Sequence, residues 1–297
     1  MRVLLLGETG QLGWELKRSL APIGEIYAVD YPQINLLDHD SIRNTVRDAS
    51  PDLVINATAY TAVDQAESEP EKAMEINGSG PGVLAEIAQQ SHIALIHYST
   101  DYVFNGQKGS PYIESDPPNP INVYGLSKRN GEVNIQNVGG AYLILRTSWV
   151  YSLRRDSFVT RILNWAKTKE ELHIVTDQVG NPTWARFLAE TTAMLVARAG
   201  TDIWNWIHER HGIYHLAGSG YTNRYHWAEA IIKHDTHKSE HTLQRIIPAL
   251  SCDFTTAAMR PLFSALECTF FENTFGLKMP EWEKSLQLAL EPYSWSD

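Results

Sequence analysis

Residues 2–16, "RVLLLGETGQLGWEL", set an unbroken apolar run in front of three glycines and an amphipathic stretch. The run lacks polar alternation, so it reads as a strand buried on both faces, the habit of a parallel sheet covered by helices. Gly7, Gly10 and Gly13 stand directly after that strand and at the mouth of a helix. Without a Cβ the backbone there can approach a pyrophosphate, whose charge a helix N-terminus favours. The spacing is G-x-x-G-x-x-G and no Gly-Lys-Ser/Thr ends it, which excludes a P-loop.

Outward from this stretch, strands and helices alternate. "QLGWELKRSLAP" is the first helix, ended by Pro22, and "EIYAVD" the second strand. Asp30 closes it, 23 residues after Gly7, where a carboxylate accepts from the ribose hydroxyls of an adenosine. No arginine follows closely, so a 2′-phosphate lacks an obvious partner and the site leans towards NADH. "DHDSIRNTVRDA" is a helix capped by Asp or Ser, and "DLVINATA" a third strand. "EPEKAMEINGSGPGVLAEIAQQ" is a helix whose Gly78, Gly80, Pro81 and Gly82 predict a kink. "IALIHYST", "YGLSKRNGEVNIQ" and "AYLILRTS" complete a strand–helix–strand series. The pattern predicts an α/β protein with a Rossmann-like, doubly wound parallel sheet over 1–150. After residue 150 the rhythm loosens. Residues 151–297 read mainly as a smaller C-terminal substrate-binding lobe, with some segments returning to the first domain.

The 297-residue chain carries 25 Lys plus Arg against 35 acids, a net charge of -10, which argues against nucleic acid or an anionic membrane as partner. Cys252 and Cys268 suit neither a disulfide framework nor a C-x-x-C element, so reduced thiols are expected. "MRVLLLG" starts like a signal peptide, but its apolar run stops at Gly7 and Glu8, and no stretch approaches a membrane span. A soluble cytoplasmic protein is the expectation.

"HYSTDYVFNG" leaves the fourth strand at the sheet edge where ligands bind, with Ser99 and Thr100 supplying hydroxyls. "NVYGLSKRNGE", residues 122–132, then puts Tyr124 and Lys128 four apart on one helical face. A free phenol titrates near ~10 and is a sluggish acid towards a carbonyl oxygen. A neighbouring ammonium and a positive nicotinamide ring would both lower that value. In this reading Thr100 holds the substrate oxygen while Tyr124 donates a proton to it.

"GETGQLG", "NATAYTAVDQAESEP", "HYSTDYVFNG", "NVYGLSK" and "LRTSWVY" together resemble the extended short-chain dehydrogenase/reductase family, from Met1 to about residue 190. Within it they resemble the branch acting on nucleotide sugars, which implies reduction of the 4-keto group of a dTDP-6-deoxyhexose by NADH or NADPH. The resemblance implies Gly10, Gln11 and Leu12 at the pyrophosphate, and Asp30, Asn35 and Leu36 around the adenosine. Ala59, Tyr60, Thr61 and Tyr98 would complete the dinucleotide pocket. Thr100 and Asp101 would touch the sugar and Trp149 pack against it; Tyr124 and Lys128 would carry the proton chemistry, with Lys128 also on the nicotinamide ribose. It also admits a homodimer and a Mg²⁺ ion, with Glu15 and Glu190 at a subunit contact. As alternatives, Asp101 caps a turn and Trp149 belongs to the core.

Two stretches depart from the family pattern. "SLRRDS" follows Tyr151 in place of a Gly- and Asn-containing loop, with Arg154 and Arg155 read as solvated, and Ala265 in "RPLFSAL" replaces a basic residue. The histidine sets 208/211/215 and 234/237/241 have zinc-like spacing, but neither presents one helical face, and no metal is assigned to them. Two rival functions remain. One is another extended short-chain nucleotide-sugar enzyme, an epimerase or dehydratase. The other is a non-catalytic NADP-binding regulatory subunit, like the β subunit of methionine adenosyltransferase, which the Thr100, Tyr124 and Lys128 set disfavours.

Overall fold

A computed structural model describes residues 1–291. Its centre is a six-stranded sheet made of β1 (Arg2–Leu6), β2 (Glu25–Val29), β3 (Leu53–Asn56), β4 (Ala94–Thr100), β5 (Tyr142–Thr147) and β6 (Gly212–His215). The spatial order is β6-β5-β4-β3-β1-β2 and every pairing is parallel. The order reverses beside β1, so the crevice beyond the β1 and β3 ends is the switch point where ligands of such sheets bind.

Helices cover both faces because successive side chains of each strand point opposite ways. Val3, Leu5, Ile55, Ile96, Tyr98 and Leu145 meet α1 (Gln11–Leu20) on one face. Leu4, Leu6, Val54, Leu95 and Ile144 meet α2 (His39–Ala49) on the other. On that second face also lie α3 (Pro70–Met74 and Gly80–Gln90, joined by a π turn Glu75–Ser79) and α4 (Val123–Val138). The predicted kink is therefore a π turn, and its glycines serve close packing on α4. A Cβ on Gly82 would meet Asn134 Cβ at 3.0 Å, and one on Gly131 would meet Asn77 O at 2.2 Å.

A smaller cluster gathers around the fully buried Trp227, built from α5 (Phe158–Ala166), α7 (Arg224–His234) and α8 (Trp282–Leu290). It carries a short parallel pair, Glu171–Val175 with Arg245–Ala249. The chain leaves this region twice. Helix α6 (Ala185–Ala199) packs beside α1, and β6 extends the main sheet. Residues 292–297 of the expected second region lie outside the described residues.

The glycine turn shows why the first motif folds as it does. Gly7 has φ +90, Gly10 N donates to Gly7 O at 3.0 Å, and a Cβ on Gly13 would lie 1.9 Å from that same Gly7 oxygen. All three atoms facing that Cβ are backbone, with no flexible side chain to yield. Gly13→Ala should therefore cost about 1–3 kcal/mol, read as a lower urea midpoint. The same variant should lose affinity for a dinucleotide, because the loop must shift to admit the methyl.

Candidate active site

The ends of β1, β2, β3 and β4 and the starts of α1 and α4 lie along the sheet edge at the switch point. α1 begins at Gln11 behind Gly10, with no side-chain cap and no acid in its first turn, so its first amides remain open to an anion. Gln11 Oε1 is buried without a partner. The open first amides of α1, behind a glycine turn folded tightly on its own backbone at Gly7 O, fit a dinucleotide diphosphate. Leu12 is buried in the core behind it.

Asp30 sits at the end of β2 as expected, but its carboxylate is largely engaged. Oδ2 accepts from Thr9 N at 3.0 Å and Thr9 Oγ1 at 2.6 Å, and Oδ1 from Tyr31 N at 2.8 Å. A carboxylate offers about four acceptor positions, so one is left for a ribose. The lean towards NADH rested on the lack of an arginine close after Asp30, and these hydrogen bonds do not bear on it. Asn35 is half-buried, its side chain accepting from Leu37 N at 3.1 Å, while the Leu36 side chain is core. After β3, Ala59 and Tyr60 are half-buried and Thr61 exposed. Asn77, in the π turn, fixes Tyr60 by accepting from its N–H at 2.8 Å and donating to its carbonyl at 3.0 Å; Asn77 Nδ2 also donates to Ser127 of α4 at 2.9 Å.

The period of β4 divides the remaining groups. His97 and Ser99 face α4, whereas the Tyr98 ring goes to the opposite face and its hydroxyl meets Thr192 Oγ1 at 2.7 Å. Burial raises the Tyr98 pKa, and its phenol is committed to α6. Tyr98 thus contributes to the site through its carbonyl, which accepts from Lys128 Nζ at 2.6 Å.

On α4, Asn122 caps the start by accepting from Gly125 N at 2.7 Å. Gly125 must lack a side chain, since a Cβ would fall 2.2 Å from Tyr102 O. This contact seats Tyr124 beside Thr100, whose hydroxyl interacts with the phenol. Burial, and then the neighbouring Asp101 and Tyr102, push the Tyr124 pKa up against that Thr100 hydrogen bond. This corrects the expectation that Lys128 lowers it. The Lys128 amino group donates to Tyr98 O and stands 3.2 Å from His97 Nε2, and it has no resolved influence on the phenol. Lys128 itself is pushed down to about 8 by burial, against Glu132, which raises it.

Asp101 is 2% exposed, its carboxylate enclosed by Thr100 Oγ1 at 3.2 Å, Ser148 Oγ at 3.0 Å and Ser264 Oγ at 2.5 Å. Burial lifts its pKa to about 6. In this structure its side chain reaches a sugar only through Thr100. Trp149 has φ +44 and is half-buried. The Arg224 guanidinium lies 3.7 Å above its ring and Trp227 stacks at 5.5 Å. Gly180 is flush against the indole: a Cβ there would be 2.6 Å from Trp149 Cε2.

Several groups near this cleft escaped the sequence reading. Glu132, 0% exposed, accepts from Arg146 Nε and Nη2, both at 2.8 Å, and from Ser99 Oγ at 2.6 Å. It lies four residues beyond Lys128, a spacing that was visible. Arg224 and Arg260 bring cations to Tyr102 and Asp64, and Ala265, buried at 0%, has no room for the basic residue it replaces. No local pattern singles those arginines out.

Other expected features disperse. Arg154 is exposed but lies 4.4 Å over the Trp14 ring, while Arg155 is exposed. His215 is buried beside Arg146, away from His208 and His211, which stack on each other. Glu15 and Glu190 line one groove, but Glu190 pairs with Arg186 at 3.2 Å, and Arg186, Arg18 and Arg154 all act on Glu15. Within one chain the two acids are already neutralised, and among the described residues no three metal-capable side chains gather.

A glycine cradle at the switch point of a parallel sheet, with threonine, tyrosine and lysine at the neighbouring strand end, defines an extended short-chain dehydrogenase/reductase. The chain belongs to the RmlD substrate binding domain family, whose model matches residues 1–295. It is 39% identical to dTDP-4-dehydrorhamnose reductase of Burkholderia thailandensis, over 98% of each chain. Among solved structures it resembles the Clostridium acetobutylicum dTDP-4-dehydrorhamnose reductase, at 30% identity and TM-score 0.89 over 98% of each chain. The Bacillus anthracis dTDP-4-dehydrorhamnose reductase in complex with NADP matches at 32% identity and TM-score 0.87 over 97% of each.

The Lys128 environment generates a pH prediction. A lysine depressed to about 8 is charged below that pH and neutral above it. If its charge serves the cofactor, kcat/KM for the cofactor, which reports the free enzyme, should hold steady at neutral pH and fall as pH rises through about 8. Lys128→Met should abolish that limb.

Proposed function

We propose that the protein is a dTDP-4-dehydrorhamnose reductase, reducing the 4-keto group of a dTDP-linked 6-deoxyhexose with NADPH or NADH to give dTDP-L-rhamnose. The observation that carries this is the placement of Tyr124 beside Thr100, with Lys128 one helical turn away, at the sheet edge that also holds the glycine cradle. The relatives' names agree with it. A non-catalytic subunit would have no use for a phenol and a threonine hydroxyl so arranged.

Gly7, Gly10, Gln11 and Gly13 would hold the diphosphate and Asp30 the adenosine ribose. Asn35, Leu36 and Ala59 to Thr61 would line the remainder, the Leu36 contribution coming from its backbone. When bound, the reduced nicotinamide supplies a hydride to the carbonyl carbon. Thr100 holds the carbonyl oxygen by its hydroxyl, and Tyr124 donates its phenolic proton to that oxygen as charge develops on it. A raised pKa suits this direction of reaction, since Tyr124 must be neutral before it can donate. Lys128, held on the Tyr98 carbonyl one turn along the helix, would hold the nicotinamide ribose.

Residues 1–150 would bind the cofactor and most of the remainder the sugar nucleotide, with Trp149 and Arg224 at the join. The two free thiols, Cys252 and Cys268, suit a reducing cytoplasm. Among the described residues no helix is long and apolar enough to cross a membrane.

The test follows nicotinamide absorbance with the 4-keto sugar nucleotide generated in situ. Wild type should oxidise NADPH or NADH stoichiometrically with product, and Tyr124→Phe should lower kcat by about 10²–10⁴-fold with cofactor affinity unchanged. Undiminished turnover in that variant would remove Tyr124 from the mechanism.

A further inference from the structure

Behind Lys128 lies a buried polar chain that the reaction does not use directly. Asn56 and His97 are register partners on β3 and β4, both 0% exposed. Asn56 Nδ2 stands 3.1 Å from His97 Nδ1, and His97 Nε2 stands 3.2 Å from Lys128 Nζ. The Asn56 amide cannot be reversed freely, because its Oδ1 accepts from Thr58 N at 3.0 Å and from Thr58 Oγ1 at 2.5 Å.

Counting protons along this chain gives a definite answer. Asn56 presents an N–H to Nδ1, so Nδ1 must accept, and a neutral imidazole then carries its proton on Nε2. That N–H points at Lys128 Nζ. An amine accepts it and still donates to Tyr98 O, leaving every group satisfied. An ammonium has no lone pair and meets the Nε2–H donor to donor. The other tautomer only moves the clash to Asn56. A buried polar network with one unsatisfied contact is costly. We propose that His97, held in its Nε2–H tautomer by Asn56 and Thr58, is a positioning residue that sets the charge on Lys128.

The other charged and titratable groups around Lys128 do not produce this effect. Glu132 on the same helix favours the ammonium, but its carboxylate is committed to Arg146 of β5, Arg129 and Ser99. Tyr124, a turn earlier, is neutral. Burial disfavours the charge, and it also keeps His97 neutral, so the histidine does not take the extra proton itself. Charge on Lys128 then becomes more favourable when a ligand hydroxyl offers a lone pair, so its pKa rises from about 8 on cofactor binding.

The inference rests on the reductase reading only for NADPH as the ligand whose affinity is followed. Two measurements test it, and neither needs the sugar. The first is a long-range ¹H–¹⁵N spectrum of protein labelled in its histidines, with His97 assigned by its loss in His97→Gln. The second is NADPH affinity across the neutral-to-alkaline range for wild type, His97→Gln and Asn56→Asp. Wild type should show His97 neutral with the proton on Nε2. His97→Gln offers Lys128 an oxygen, and Asn56→Asp draws the imidazole proton to Nδ1 and frees Nε2 to accept. Both should move the alkaline loss of affinity upward by about one pH unit or more, and Asn56→Asp should switch the His97 tautomer. Protonated Nδ1 in wild type, or an alkaline limb unmoved in the variants, would overturn the proposal. If Asn56→Asp does not fold, the wild-type tautomer and the His97→Gln profile decide. Failure of wild type to turn over the sugar nucleotide would instead count against the reductase reading alone.

Discussion

The buried Glu132 carboxylate fixes the helix face that carries Tyr124 and Lys128. It takes two hydrogen bonds from Arg146 on β5 and one from Ser99 on β4, so one side chain of α4 is tied to two neighbouring strands. Tyr124, Lys128 and Glu132 follow one another at intervals of four on a single helical face. Pinning the last sets the height and rotation of the other two over the ends of β4 and β5. Removing one partner of such a pair costs about 3–5 kcal/mol, because the survivor stays charged without compensation. Glycines supply the second constraint. Gly125 and Gly131 let α4 approach backbone at Tyr102 and Asn77, so the helix is held close at both ends of the catalytic turn.

Much of the sheet was legible because its strands are short apolar runs without alternation, and each is punctuated by Gly, Pro or a capping Asp. Asp38 does cap α2, accepting from Asp40 and Ser41 amides. The kink in α3 was legible in its glycines, though its form, a π turn that aims Asn77 at Tyr60, was not. What the sequence hid was direction. Tyr98 stands between His97 and Ser99, and only the face assignment of β4 shows that its phenol leaves the site for Thr192. Charged partners far apart in the chain were hidden for the same reason. Nothing near Glu132 announces Arg146, and nothing near Trp149 announces Arg224.

The electrostatics of the pair at 124 and 128 also needed coordinates. Four-residue spacing places two side chains on one face, but it does not say whether an ammonium turns towards its neighbour or towards a strand. Here it turns to the strand, because Tyr98 O offers a lone pair at 2.6 Å where the phenol offers a donor. The ligand-free site therefore holds a protonated tyrosine and a weakly held lysine proton.

Asp101 joins this centre to the rest of the molecule. It directly follows Thr100, and its carboxylate gathers Ser148, just past β5, and Ser264, from the far end of the chain. Hydrogen bonds to a charged group contribute about 1.5–3 kcal/mol each, enough to offset much of the cost of burying the acid. Arg224, pushed down to about 10 by burial and favoured by Tyr102 and Asp101, adds a cation from α7 and covers Trp149 with the same guanidinium. The strand that ends in Thr100 is thus followed by an acid whose charge faces the Arg224 guanidinium over Trp149.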